Sequence, residues 1–465
     1  MAYSLLIGGQ LVSTRETMEV INPATEQVLA KCPVASPTQL DDAVAAAKHA
    51  FAAWSETPIG RRKDAVRAVS DIIQSNAAEL ARLLTQEQGK PLGDATREVM
   101  GAAMFFRNFT NLDLPTRSVN SEGRRVELHR RPLGVVGAIV PWNFPLILMA
   151  MKVAPALIMG NTVVLKPAPS TPLSTLKIGE LIREALPPGV INVISGTNDL
   201  GAWLTAHPDV RKISFTGSTA TGAKVMQGAA STLKRITLEL GGNDAAIVLD
   251  DVDPKQTAPK LFQGAFANNG QICIGIKRLY VHDEIYDAMC NELANLARDA
   301  IVGDGLAQGT QLGPMQNKSQ YEKVLAIIAE AKGQGKVIAG DRPFAGPGYF
   351  IYPTIVRDIA EGTELVDGEQ FGPVLPVIRY TDPDDAVARA NASPYGLGAS
   401  IWCAEPDRAY ELAKRVEAGT VWVNKHADMA LEIPFGGAKQ SGIGAEMAEE
   451  GLAEFTQLQV INMMS

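Results

Sequence analysis

The sequence predicts an α/β protein built from two doubly wound halves, a Rossmann-like cofactor-binding half and a catalytic half, with a small extra β element. Three observations predict this. Five short apolar runs (135–140, 162–166, 190–195, 212–217 and 235–242) begin 22 to 28 residues apart, with helical segments between them. That is the spacing of βαβ units, and it implies a parallel sheet whose ligands bind outside the carboxyl ends of its strands. A second set of apolar runs follows between 245 and 424. The length of 465 residues is itself too great for one ordinary core.

Taken in order, residues 40–54 and 62–89 carry apolar side chains at helical spacing. The five strands of the first half come next, with helices at STLKIGELIREAL and STATGAKVMQGAAS. The second half reads as strands at 245–249, 278–282, 336–340, 374–380, 397–402 and 420–424, with helices at DEIYDAMCNELANLARDA and DRAYELAKRVEA. Two stretches stand apart. RRVELHRRP (124–132) alternates polar and apolar residues, and FTQLQVINM (455–463) is a β-rich tail. Strands that fit neither core often pair with another chain. The expected division is therefore 1–117 with 134–242 as a first, Rossmann-like domain and 243–440 as a second α/β domain. Segments 118–133 and 441–465 form a bridging element that joins copies into a homodimer or homotetramer.

Composition narrows the class of function. Hydrophobic residues make up 46% and charged residues 20%, with a net charge of −8. No basic excess exists to neutralise phosphates, which argues against nucleic acid as a partner. The four cysteines, Cys32, Cys273, Cys290 and Cys403, are widely spaced and form no CxxC or Cys/His cluster. That fits a reducing compartment and gives no metal site. The N-terminus lacks the basic n-region and long apolar run of a secretory leader. The most apolar region, Val135 to Leu165, is interrupted by Pro141, Asn143, Pro145, Lys152, Pro155 and Asn161, so it falls short of a membrane span. The expectation is a cytoplasmic enzyme with no membrane partner.

Several short motifs could carry chemistry. GQICIG holds Cys273 between two isoleucines, and by itself it reads equally as core filler. FTGSTATG (215–222) follows a strand and opens a helix, where backbone N–H groups can meet an anion. It is neither GxGxxG nor a Walker A loop. LELGG sets Glu239 at a strand end, where desolvation could make it a base or a salt bridge could hold it at the surface. PWNFP clamps Asn143 between two prolines, either as a preorganised donor to an oxyanion or as a helix cap. VLKPAPSTP ends a strand with Lys166, which could hold a ribose hydroxyl or a phosphate. EQFGP and PFGG are tight turns carrying Glu369, Phe371 and Phe435.

Together these segments resemble the aldehyde dehydrogenase superfamily, from about residue 5 to 463. PWNFP, KPAPSTP, FTGSTATG, LELGG, GQIC, EQFGP and PFGGAKQSGIG stand in the family's order, and Glu239 and Cys273 are 34 residues apart, as its pattern requires. The resemblance implies NAD(P)-dependent oxidation of an aldehyde to the acid. Cys273 would attack the carbonyl to give a thiohemiacetal. The Asn143 amide and the Cys273 N–H would hold the oxyanion. Glu239 would activate the water that hydrolyses the thioester, with Lys152 and Glu446 as a proton relay behind it. Lys166, Ser170, Gly217, Ser218, Glu369 and Phe371 would hold the cofactor, and Trp142 would brace the loop. Many NAD-preferring relatives carry glutamate three residues after the lysine, where it repels a 2′-phosphate. Here the residue is Pro169, so NADP should be tolerated beside NAD. Phe144, Met151, Ile272, Ile274 and Phe435, with Ile147, Phe105 and Phe106, match acyl-tunnel positions and suit an apolar or aromatic aldehyde. Arg107, Lys425 and His426 could instead meet the carboxylate of a semialdehyde.

Three rivals were weighed. A coenzyme A-acylating relative generally lacks the base that Glu239 would supply. A non-redox cysteine hydrolase could draw on one of five histidines, but it leaves Lys166 and the dinucleotide-type half without a purpose. A silent oligomeric binding protein would have no need of Cys273, Glu239 and Asn143 together.

Overall fold

The computed structural model describes residues 3–121 and 123–464; Met1, Ala2, Glu122 and Ser465 of the expected segments lie outside it. Two large sheets organise the chain. The first has the order Gln10–Val12, Leu5–Ile7, Ile191–Val193, Thr162–Lys166, Val135–Ile139, Val210–Thr216, Arg235–Glu239 and Gly442–Ile443. Its five central strands are parallel, as βαβ spacing requires. Chain order reverses between Val135–Ile139 and Val210–Thr216. The crevice beyond the carboxyl ends of these two strands is therefore a switch point, where doubly wound sheets bind ligands.

The second sheet has the order Lys336–Ala339, Thr354–Arg357, Val374–Tyr380, Ile276–His282, Asp244–Val248, Gly398–Trp402 and Thr420–Val423. Only Lys336–Ala339 runs antiparallel. Its two faces are covered by separate apolar clusters, one around Tyr280, Ile378 and Ile401 and one around Leu279, Met289 and Val377. Four residues, Leu240 to Asn243, join the last main strand of the first sheet to the first strand of the second. The amino ends of the second sheet are thereby set close to the carboxyl ends of the first.

The structure departs from the sequence expectations at particular points. The helix expected over 62–89 is two helices, Ile59–Ser75 and Ala77–Gln88. Asn76 breaks it by leaving helical geometry and donating its side-chain amide to the Ile72 carbonyl at 2.8 Å. The helix Leu92–Phe109 and the strand Thr354–Arg357 were not anticipated. The expected bridging segment 441–465 does not act as one piece. Gly442–Ile443 pairs antiparallel with the strand ending in Glu239. A Cβ on Gly442 would stand 2.5 Å from the Leu238 carbonyl, so glycine permits that approach. Only Thr456–Met464 joins Arg124–Pro132 and Arg117–Ser121 in a separate three-stranded sheet.

Candidate active site

Cys273 sits just before the strand Ile276–His282, at the amino end of the second sheet. The approach to it is unusual. Asn268, Asn269 and Gly270 all have left-handed backbone, with φ of 49°, 56° and 72°. A Cβ on Gly270 would lie 2.3 Å from the Gly372 carbonyl. Consecutive left-handed residues persist only where surroundings over-determine them. Here the Lys277 ammonium donates to the Gly270 carbonyl at 2.5 Å, and the Gln271 side chain donates to the Asn268 carbonyl and accepts from the Gln316 N–H. The loop presents a half-buried thiol to a cavity of about 190 Å³ that also meets Trp142, Asn143, Gly217, Ser218, Glu369 and Phe371. Burial, with Glu369, Asp244 and Glu239 nearby, pushes the Cys273 thiol up to about 12.

Asn143 is buried, and its Nδ2 donates to the Gln271 carbonyl at 3.0 Å, two residues before the thiol. It does not cap the helix Pro145–Ile158. That role falls to Glu98, from the helix Leu92–Phe109, which accepts from the Leu146 N–H at 2.9 Å. Glu98 is itself paired with Lys90, and both side chains are buried. The Lys90 ammonium also donates to the Asn143 carbonyl at 2.9 Å and stands 3.8 Å from the centre of the Phe144 ring. Lys90 and Glu98 thus fix the asparagine's backbone from behind. Sequence reading missed both, because their partners are 53 and 48 residues away in the chain.

Glu239 ends the strand Arg235–Glu239 and is buried, with neither carboxylate oxygen hydrogen-bonded to the protein. Burial, followed by repulsion from Glu446, holds its carboxyl well above the usual carboxylate range, and Lys152 opposes the shift. Lys152, within the apolar helix Pro145–Ile158, meets Glu446 at 2.5 Å, and both are buried. The structure thus brings the three expected residues into one chamber.

On the other side of the cavity, Ser218 caps the helix Thr219–Ala230 by accepting from the Thr221 N–H, directly after Gly217. The Phe371 and Trp142 rings meet edge to face at 5.3 Å. Glu369 accepts from the Gly242 N–H at 3.0 Å, and burial raises its carboxyl. A Cβ on Gly241 would come 2.5 Å from the Glu369 carboxylate, so glycine there lets Glu369 close against the strand end. Lys166 and Ser170 lie beyond this lining. Lys166 is buried, its ammonium donates only to the Pro167 carbonyl, and burial lowers it to about 8. A buried cation with one carbonyl partner beside a helix-terminal turn fits the donor set a dinucleotide needs.

A second hollow of about 180 Å³ opens beside the first. Phe144 and Ile147 line it together with Lys90, Asp94, Arg97, Glu98, Ala267 and Asn268. Ile272 flanks the thiol and is partly exposed, whereas Met151, Ile274 and Phe435 are buried among apolar neighbours. Phe106 is fully packed in the core. Arg107 pairs with Asp71 at the surface, and Lys425 pairs with Asp428 at 2.5 Å. His426 is buried, with one ring nitrogen 2.9 Å from the Ser400 hydroxyl and the other 2.8 Å from the Ile274 carbonyl; burial lowers it to about 3. His426 is therefore neutral, and Arg107 and Lys425 lie in solvent-exposed ion pairs. Among the described residues no cluster could hold a metal ion, and no helix is long and apolar enough to cross a membrane.

A switch-point crevice lined by a helix N-terminus and facing a half-buried thiol defines a dinucleotide-dependent oxidoreductase. Residues 11–461 match the sequence model of the aldehyde dehydrogenase family. The chain is 41% identical to the mitochondrial aldehyde dehydrogenase of Leishmania tarentolae, over 99% of its own length and 95% of that protein. It is 39% identical to the aldehyde dehydrogenase LUC3 of a Fusarium species, over 98% and 97%. Its fold is similar to that of the Bacillus cereus aldehyde dehydrogenase solved with NAD+, with a TM-score of 0.97 and 35% identity, covering 100% of this chain and 97% of that one. The chain belongs to the aldehyde dehydrogenase family and is an NAD(P)-dependent oxidoreductase that acts on aldehydes.

Proposed function

We propose that the protein oxidises an apolar or aromatic aldehyde to its carboxylic acid through a covalent intermediate on Cys273. The observation that carries this reading is the Cys273 thiol sharing its cavity with Asn143, with the unpartnered Glu239 carboxylate close enough to act on the thiol electrostatically. The Cys273 thiol loses its proton to solvent through the open cavity, the thiolate sulfur bonds to the aldehyde carbon, and the oxygen, now an oxyanion, takes hydrogen bonds from the Asn143 amide and the Cys273 N–H. When bound, the nicotinamide accepts the hydride that leaves this carbon. Lys166, Ser170, the Gly217–Ser218 turn, Glu369 and Phe371 would hold that cofactor, with Trp142 bracing Phe371. Glu239 then takes a proton from water as the water oxygen bonds to the acyl carbon and the C–S bond breaks. Its raised affinity for protons suits a base working near neutral pH.

The substrate class rests on the lining nearest the thiol. Arg107 and Lys425 sit in solvent-exposed ion pairs and His426 is neutral in the interior, so none of the three is a preorganised contact for a semialdehyde carboxylate. Phe144 and Ile147 give the second hollow an apolar wall, with the Asp94–Arg97 pair in the same hollow, and Ile272 stands partly exposed beside the thiol. Pro169 places no carboxylate beside the adenosine ribose, so we infer that NADP serves as well as NAD. The three-stranded sheet would join copies into a dimer or tetramer. The test is to follow cofactor reduction at 340 nm (absorbance of the reduced nicotinamide, roughly) with NAD or NADP and a panel of aliphatic, aromatic and semialdehyde substrates. The highest kcat/KM is expected with uncharged apolar aldehydes. A panel led by semialdehyde acids would overturn the substrate assignment, and no reduction with any aldehyde would overturn the reaction.

A further inference from the structure

Hydrolysis at Glu239 leaves a proton on a buried carboxyl, on a strand paired with Gly442–Ile443. One face of the first sheet carries an unexpected row of polar side chains leading away from that carboxyl. The strands Val210–Thr216 and Arg235–Glu239 are parallel and in register, with Thr216 beside Glu239 and Ser214 beside Thr237. Side chains two apart on a strand share a face, so these four point the same way as Lys212. The hydroxyls of Ser214 and Thr216, both Glu239 oxygens and Glu446 Oε2 are buried without a protein partner. A mostly apolar core has no structural use for such a row, and buried polar atoms of this kind are ordinarily joined by water.

The far end of the row is ordered and directional. Lys212 is fully buried, and its ammonium donates to the Thr237 hydroxyl at 2.5 Å. That hydroxyl donates in turn to Glu454 Oε2 at 2.9 Å, and the Lys212 ammonium lies 3.4 Å from the same oxygen. Glu454 is about one-third exposed. Lys152 and Glu446 both act electrostatically on Lys212, and burial lowers Lys212 to about 8, which makes its neutral amine accessible near physiological pH.

We propose that Lys212, Thr237 and Glu454 form the outlet through which the proton taken up by Glu239 leaves the protein. The proposal rests on Glu239 being the hydrolytic base. The Lys212 ammonium passes a proton through the Thr237 hydroxyl to the Glu454 carboxylate and so to bulk buffer. The amine left behind takes the proton that arrives from Glu239 by way of the Lys152–Glu446 pair and the Ser214 and Thr216 hydroxyls. One proton enters and one leaves in each cycle, and no other reactant is needed.

The test uses the full-length enzyme with NAD and its best aldehyde, in Glu454→Gln and, separately, Lys212→Met. The burst of reduced cofactor is expected at its normal rate and amplitude in Glu454→Gln. Hydrolysis of the thioacyl enzyme, measured by quenching a single turnover, is expected to slow about tenfold at low buffer concentration. Imidazole should restore it, while the unaltered enzyme should be insensitive to imidazole. Lys212→Met should behave in the same way where it folds; Glu454→Gln, at the surface, decides the matter where it does not. A normal hydrolysis rate in Glu454→Gln, a slow rate that imidazole does not restore, or loss of the burst itself would each overturn the outlet. Glu239→Gln separates the two levels. If it fails to accumulate thioacyl enzyme, the assignment of the base is wrong. If it accumulates it while Glu454→Gln hydrolyses normally, only the outlet is wrong.

Discussion

At the scale of single residues, the proposed chemistry divides between Cys273 and Glu239. Glu239→Gln keeps the shape of the chamber but cannot take a proton. It should give a normal first burst of reduced cofactor and then a steady rate lower by about 10²–10⁴-fold. A stopped-flow trace with an unchanged steady rate would remove Glu239 from the mechanism. Pro169→Glu should restore repulsion of a 2′-phosphate, lowering kcat/KM for NADP by at least about tenfold while leaving NAD little changed. Equal losses with both cofactors would mean that position 169 does not face the 2′ oxygen. Cys273 and Glu239 were open on their local motifs alone, and only the ordered motifs around them and their 34-residue spacing pointed to chemistry. Asn143 was open between two roles, and the structure removed one of them by showing Glu98 at the Leu146 N–H instead. The partners of Arg107 and His426 were not legible, because Asp71, Ser400 and the Ile274 carbonyl meet them only in the folded chain, whereas Asp428 stands three residues after Lys425.

At the scale of elements, the helices Leu92–Phe109 and Pro145–Ile158 are locked to each other by the Lys90–Glu98 pair and its bonds to Asn143 and Leu146. Removing one partner leaves the other charge buried and uncompensated. Glu98→Met should therefore cost about 3–5 kcal/mol of stability, and Lys90→Met a similar amount. The double variant should lose less than the sum of the two, since it leaves no orphan charge. Chemical denaturation of the four proteins measures this, and simple additivity would show that the pair is not coupled. The βαβ alternation made most strands of both sheets legible from apolar runs alone. The short Gly442–Ile443 strand was not, because two residues carry no periodicity and their pairing depends on a glycine meeting the Leu238 carbonyl. The helix break at Asn76 also escaped the apolar pattern, which runs on unbroken while a side-chain amide competes for the Ile72 carbonyl.

At the scale of the whole molecule, the two sheets explain each other, and the third sheet calls for a partner. The carboxyl ends of the first sheet hold the candidate cofactor crevice, and the amino end of the second supplies the thiol, so neither half has a complete site alone. The three-stranded sheet contributes nothing to that cavity. Its strand Thr456–Met464 pairs along nine residues with Arg124–Pro132 and leaves its other edge open. Leu458 and Val460 on that strand are about half exposed, and so is Val119 on Arg117–Ser121. A long open edge carrying exposed apolar side chains invites association unless another chain covers it. If copies of this chain do so, lysines at two of these positions place charge in the contact and should disperse the assembly. Sedimentation equilibrium of Leu458→Lys/Val460→Lys is expected to give the 49.6 kDa protomer, where the unaltered protein gives a dimer or tetramer. The cavity is built within one chain, so the dispersed variant should keep the burst of reduced cofactor on Cys273 in proportion to the protein that remains folded. An unchanged mass in the double variant would place the contact elsewhere. A monomeric mass for the unaltered protein would leave the sheet without the partner its open edge implies.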